Sequence, residues 1–368
     1  MKRRYKILGG IVFLLGVAVV SAGLYISHDA PCGTAPALTA GAPSMKAIVY
    51  RCYGPARVLR YEDTAKPVPK DNEVLVRVHA NSVNPLDWHY MLGTPYVLRL
   101  ESGVGVPKDP RLGVDFAGTV EAVGTKVTRF QPGNEVFGGR YGSFAEYIAV
   151  PQDRAIALKP ANVTFEQAAA VPIAAVTALQ ALRDKGRIKA GQKVLINGAS
   201  GGVGTFAVQI AKSYGAEVTG VCSGRNAAMV RGIGADHVID YTQEDFTKGS
   251  QRFDLIIDTV GTHTFAEYRR VLTPKGIFVM VGGPTNGNWI APFVPIVEAI
   301  VTTPFHSQEF LPILAELKQT DLNYLRDLMQ GGKLRPVIDR HYPLSDAATA
   351  IAYLQQGHSR GKVVMDTP

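Results

Sequence analysis

The hydrophobic pattern of the chain changes character along its length. Residues 7–26 form an apolar stretch without one charged side chain, about the twenty residues needed to cross a bilayer. Residues 27–44 carry Ala, Pro and Gly without a period and read as a flexible linker. From Met45 to about Phe165, short runs alternate apolar and polar positions at 46–50, 73–79, 119–123, 135–138 and 145–150. Gly54-Pro55, Pro85, Gly113, Gly124 and Pro132-Gly133 break these runs. Alternation at period two with such punctuation predicts a compact, mostly antiparallel β domain. Beyond Thr164, Ala and Leu dominate and predict helices near 165–170 and 177–182. Apolar runs at 194–196, 217–223, 237–240, 254–260 and 276–283 then alternate with helical stretches. That βα alternation predicts a parallel sheet covered by helices. The last part, 335–366, returns to strand, helix, strand and closes on Gly361-Lys362-Val363-Val364-Met365.

Within the alternating part, Asn197-Gly198-Ala199-Ser200-Gly201-Gly202-Val203-Gly204 follows the strand run Val194-Leu195-Ile196 and precedes Phe206, Val208, Ile210 and Ala211 at helical spacing. Strand, glycine turn and helix in that order suit a bound pyrophosphate. The glycines let the backbone turn tightly and approach the phosphates, and the first helical amides donate to the anion at the positive end of the helix dipole. Ligands of parallel sheets bind beyond the carboxyl ends of the strands. Ser223, Tyr241, Asp258, Val260, Gly282 and Gly283 fall at such ends.

Composition narrows the field. Basic residues number 39 against 31 acidic ones, a net charge of +8, and Lys2, Arg3, Arg4 and Lys6 supply half of it. No other Lys/Arg run occurs, so nucleic-acid binding has no support. Cys32, Cys52 and Cys222 lack the spacing of a zinc lobe or a disulfide framework, which points to a reduced compartment.

Several separated motifs carry a family likeness: Val83-Asn84-Pro85-Leu86-Asp87, Leu112-Gly113-Val114-Asp115-Phe116-Ala117-Gly118, the glycine stretch, Gly234-Ala235-Asp236-His237-Val238-Ile239-Asp240-Tyr241, and Gly361-Lys362-Val363-Val364. In this order the chain, from Met45 to Met365, resembles the zinc-free medium-chain dehydrogenases/reductases, in the quinone oxidoreductase branch similar to ζ-crystallin. The resemblance implies an α/β fold. It implies a GroES-like catalytic domain at 45–165 completed by 333–368, with a doubly wound Rossmann domain for NADP inserted at 166–332; the anchor at 1–26 and the linker at 27–44 precede these. In zinc-dependent relatives Asn84 is a Cys and Val114 a His, both ligands. Asn84 offers zinc a poor ligand and Val114 none, so no metal is expected. The resemblance also brings Thr177, Gly282, Gly283 and Lys362 to the cofactor, and by analogy it allows a homodimer.

Cofactor choice rests on the second strand end, Val221-Cys222-Ser223-Gly224-Arg225-Asn226, which carries no acid to bind a ribose 2′-hydroxyl. Ser223 and Arg225 suit a 2′-phosphate, so NADPH is expected. Hydride transfer without a metal needs donors for the developing oxyanion. Asn84 is the first candidate, followed by His89 and Tyr90; relatives place a Tyr at position 89. Asp87 reads as a helix cap. The function these residues predict is NADPH-dependent hydride transfer to a quinone or α,β-unsaturated carbonyl. The alternatives are a zinc-free NAD(P)-dependent alcohol or aldehyde dehydrogenase and a non-catalytic NADPH-binding membrane scaffold.

The apolar stretch reads as an uncleaved single-pass anchor. A cleaved signal peptide ending near Val20-Ser21-Ala22, or a soluble start at Met45, are the other readings. The basic flank would stay in the cytoplasm and send the rest outward, whereas cofactor supply favours a cytoplasmic fold.

Overall fold

The structure, a computed structural model, describes residues 16–282, 287–289, 294–302 and 307–368. Helix α1 covers residues 16–27. The β domain begins with the hairpin β1 (Ser44–Val49) and β2 (Arg60–Ala65). It continues through β3 (Glu73–Val83), α2 (Pro85–Leu92), α3 (Arg99–Ser102), β4 (Asp115–Val123), β5 (Glu135–Gly139), β6 (Tyr147–Pro151) and β7 (Ile156–Leu158). Helices α4 (Phe165–Ala169) and α5 (Pro172–Gln180) lead into the second layer system: β8 (Lys193–Asn197), α6 (Gly202–Ser213), β9 (Glu217–Cys222), α7 (Ala227–Gly232), β10 (His237–Asp240), β11 (Phe253–Asp258), α8 (Phe265–Val271), β12 (Leu272–Met280), α9 (Val294–Thr302), β13 (Glu309–Pro312) and α10 (Gln319–Gln330). The chain ends with β14 (Ile338–Pro343), α11 (Ala347–Gln355) and β15 (Lys362–Asp366).

Six strands form a parallel sheet in the order β10-β9-β8-β11-β12-β13. From β8 the chain winds outward through β9 and β10, then crosses back to β11, so the strand order reverses between β8 and β11. That crevice, where Asn197 lies in register with Asp258, is where such sheets bind dinucleotides. Alternate side chains of the central strands feed the two covering layers. Val194, Ile196, Leu255 and Ile257 pack with Phe206, Val208 and Ile210 of α6 on one face, while Leu195, Ile256 and Phe278 pack with Phe265 and Tyr268 of α8 on the other. Both faces are dry, which is why these strands read as continuous apolar runs.

The other large sheet runs β14-β15-β3-β4-β5-β7, with β6 also on β3. The C-terminal β15 pairs antiparallel with β3, Val363 opposite Val83, so an early strand and the last strand close one sheet around the inserted parallel one. A bridge between Gly201 and Gly361 joins the glycine turn to that C-terminal strand.

Two expectations about the N-terminal part need correction. Residues 28–32 are not a free linker. The Ala30 amide donates to Gly105 O, and the Arg99 guanidinium donates to the carbonyls of Ile26 and His28 and to Asp29. Cys32 and Cys52 are not unpaired thiols but form a disulfide. Their separation of 20 residues carries no signal, because the clamp at Arg99, remote in sequence, brings them together. For the anchor, residues 7–15 lie outside the described residues, and among the described residues no helix is long and apolar enough to cross a membrane. Short strands such as β2 and β7, and the α9–β13 segment, also escape the sequence pattern, since their alternation is brief or set by one sheet neighbour.

Candidate active site

The glycine turn is built by close approach. Gly198 adopts φ +84°, and a Cβ there would stand 2.2 Å from Thr259 Oγ1. A Cβ at Gly204 would meet Gly198 O at 2.1 Å, so only glycine lets α6 start this near the strand end. The amides of Gly198 and Ala199 donate to Val221 O, and that of Gly201 to Gly198 O. Gly201 caps α6 without a side-chain acceptor, which leaves the amides of Gly202, Val203 and Gly204 at the positive end of a 12-residue helix. These residues fit the pyrophosphate of a dinucleotide.

Asp258, expected at the cofactor, is 1% exposed, and its carboxylate accepts from Asn197 Nδ2 and from the amides of Val260 and Gly261. It holds the β11 turn in shape. Val260 lies exposed on that turn. Gly282 fits against it because a Cβ would come within 2.3 Å of Thr259 O; Gly283 lies outside the described residues. At the β9 end, Asn226, which the sequence reading overlooked, ties two expected residues together. Its Nδ2 donates to Ser200 Oγ at 3.1 Å and to Ser223 Oγ at 3.3 Å, leaving both hydroxyl protons for a ligand. Its Oδ1 is buried without a partner among the described residues. Arg225 and Tyr241 stand exposed nearby. The nearest acid, Asp240, is taken up by Thr242 and the Gly224 amide.

Across the cleft lies a buried polar knot. Lys362 Nζ donates to Asn84 Oδ1 at 2.5 Å and to Val83 O, and lies 3.7 Å from Asp115 Oδ2. Asn84 Nδ2 donates to Asp115 Oδ2 at 2.9 Å and to Ser82 O. Asn84, expected to serve an oxyanion, therefore has both ends of its amide committed. Asp115 also receives Ser82 Oγ–H and the Ile173 amide, and Thr177 Oγ donates to Ile173 O one step further. Burial pushes Asp115 up, opposed by Lys362 and its donors, and burial likewise pushes the Lys362 ammonium down, opposed by Asp115. The Lys362 stem reaches the glycine turn, its Cδ 3.2 Å from where a Gly202 Cβ would be. Asn84, Lys362 and the turn thus meet at one junction. Val114 is buried and apolar, and among the described residues no three of His, Cys, Asp or Glu gather to hold a metal. The donor set does not fit zinc.

Helix α2 carries the other candidates. Asp87 caps it, its Oδ2 accepting the Asn84 amide at 2.7 Å. Desolvation pushes this carboxyl up to about 8, Asp115 adding to the shift while the Asn84 amide and Lys362 oppose it. His89 Nδ1 pairs with Thr94 O at 2.8 Å. A carbonyl only accepts, so Nδ1 bears the proton. Burial pushes His89 below its ordinary value, the Thr94 carbonyl opposing. It is a neutral acceptor, poorly suited to stabilise an anion. Tyr90 packs at a tilt against Tyr141, ring centroids 4.8 Å apart; burial raises both phenols, so both keep their protons. Tyr141 was not singled out in the sequence, being 51 positions from Tyr90 in a turn without a pattern.

A β domain closed by its own C-terminal strand around a parallel nucleotide-type sheet, with this junction between them, defines a class. The chain belongs to the medium-chain dehydrogenase/reductase family. The model of the alcohol dehydrogenase GroES-like domain matches residues 70–160, and that described as zinc-binding dehydrogenase matches residues 233–365. Among individual proteins, it is 33% identical over 364 residues to the mitochondrial NAD(P)H oxidoreductase RTN4IP1 of Mus musculus, covering 88% of this chain and 89% of that one. It is 32% identical to the chloroplast envelope quinone oxidoreductase homolog of Arabidopsis thaliana, covering 88% and 98%. The structure of the quinone oxidoreductase from Coxiella burnetii matches with a TM-score of 0.77 at 33% identity, covering 89% and 100%. The chain is an NAD(P)H-dependent oxidoreductase of this family.

Proposed function

We propose that the protein is an NADPH-dependent reductase of quinones or α,β-unsaturated carbonyls that works without zinc. The observation that carries this reading is the junction itself: Lys362 lies between the glycine turn and the Asn84/Val114 pair, where a committed amide and an apolar side chain leave a metal no ligands. Relatives named for quinones and for a 2-methylene-furan-3-one support the acceptor class. The bound nicotinamide supplies the hydride. The polar knot fixes the β3, β4, β15 and α5 ends that wall the cleft. Tyr90, its hydroxyl kept protonated by burial and backed by Tyr141, donates to the oxyanion that forms on the acceptor. His89 positions the 89–94 turn through Thr94.

For the cofactor, Ser200 and Ser223, aligned by Asn226, and the exposed Arg225 receive a 2′-phosphate. The test is titration with NADPH and NADH, then an assay against quinones, enones and alcohols. NADPH should bind more tightly, and Arg225→Ala should weaken it about tenfold while sparing NADH. Equal loss for both nucleotides rejects the 2′-phosphate assignment. Turnover of alcohols alone favours a dehydrogenase, and binding without turnover a scaffold.

We read residues 7–26 as a membrane anchor. The Cys32–Cys52 disulfide favours an oxidising side, in keeping with the basic flank and against cofactor supply. Protease accessibility of the soluble part in intact and opened cells separates the two placements.

A further inference from the structure

The last residue of the apolar stretch is already fastened to the catalytic domain. Ile26 O accepts from Arg99 Nη1 at 3.2 Å, His28 O from the same nitrogen at 3.0 Å, and Asp29 Oδ1 from Nη2 at 2.7 Å. The guanidinium is 1% exposed and lies between the rings of Tyr53 and Tyr96. With the Ala30–Gly105 hydrogen bond and the Cys32–Cys52 disulfide, three fastenings follow within seven residues, and no slack separates Ile26 from the fold.

The surface around that point is apolar and exposed: Leu24 and Tyr25 are each 68% exposed, Leu100 59%, Val97 44% and Trp289 44%. Tyr25, Leu100 and Val106 also line a groove rimmed by Lys108. This face adjoins the cleft. His89 meets Thr94 O, the Tyr96 amide donates to Asn288 O at 2.8 Å across the two domains, the Tyr96 and Trp289 rings pack 4.8 Å apart, and α1 lies on Trp289 at Gly23.

We propose that this face rests on the lipid bilayer entered by residues 7–15, so that the cleft opens at the membrane surface and takes a lipophilic acceptor dissolved in it, a benzoquinone with a long isoprenoid tail. The proposal rests on the reductase reading above. Its occupant follows from where the chain goes: the uncharged apolar residues 7–26, about the twenty needed to cross a bilayer, end at Ile26, and the exposed Tyr25, Trp289 and Lys108 are the residue types found at the headgroup level.

The test uses the full chain in phosphatidylcholine–phosphatidylglycerol vesicles with NADPH. It compares a benzoquinone carrying a long isoprenoid tail in the bilayer with the same ring carrying one isoprene unit in water. Val97→Glu/Leu100→Glu alters two exposed positions. It should lower the long-tail rate about fivefold while leaving the short-tail rate unchanged. An unchanged ratio of the two rates overturns the proposal. So does a variant that dissociates a detergent-solubilised dimer, because the face would then cover a second copy. Failure of the wild type to reduce the short-tail quinone is a different result: it removes the reductase reading, and this proposal with it.

Discussion

Gly204→Ala isolates the contact that lets helix and strand form a phosphate cradle. Gly204 lies in the first turn of α6 with ordinary helical backbone angles, so alanine brings no conformational strain there. The added methyl, however, would stand 2.1 Å from Gly198 O and 2.8 Å from Gly198 C, both backbone atoms of the glycine turn. Carbon contacts settle near ~3.5 Å, so the helix start must retreat from the turn by more than ~1 Å. Overpacking of that kind costs about 1–3 kcal/mol, and it displaces the amides of Gly202 and Val203 from the turn they share the anion with. Gly201→Ala is the matched control, since its methyl would meet Gly198 O at 3.4 Å, an ordinary contact. Urea unfolding and NADPH fluorescence titration should show Gly204→Ala losing both stability and affinity, with Gly201→Ala retaining stability. Equal stability for Gly204→Ala and the wild type refutes the close-approach account.

Lys362→Met leaves Asp115 buried without its ammonium and should cost about 3–5 kcal/mol near neutral pH. Because burial raises the folded Asp115, the folded state binds its proton first, so stability falls as pH rises and the loss shrinks toward the carboxylate range; unfolding at about pH 5 and about pH 8 checks this, and a pH-independent loss contradicts it. His89 has the opposite sense: its folded value is lowered, the unfolded chain binds the proton first, and stability is lost as pH falls through about 6.5. His89→Gln should flatten that acid slope in the same unfolding series, and an unaltered slope assigns it elsewhere. Alkylation of the denatured, unreduced protein should label Cys222 alone, with Cys32 and Cys52 reacting only after reduction; three labels before reduction would show the disulfide absent.

The sequence determined whatever depends on neighbours in the chain. The glycine turn, the apolar strands on both sides of it and the helix behind it are local patterns with local physics, and the order of the motifs was enough to place the family. An acid missing from the β9 end is likewise visible in one hexapeptide. Only the tertiary structure decided what depends on who meets whom. Asn84 looked like a free amide until Lys362 and Asp115, 278 and 31 residues away, took both its ends. Asp258 reads only as an acid at a strand end until the turn it shapes is in view. Cys32 and Cys52 looked solitary until Arg99 drew the N-terminal segment onto the fold. A buried polar group must find a partner wherever the chain brings one, and neither spacing nor composition records that choice.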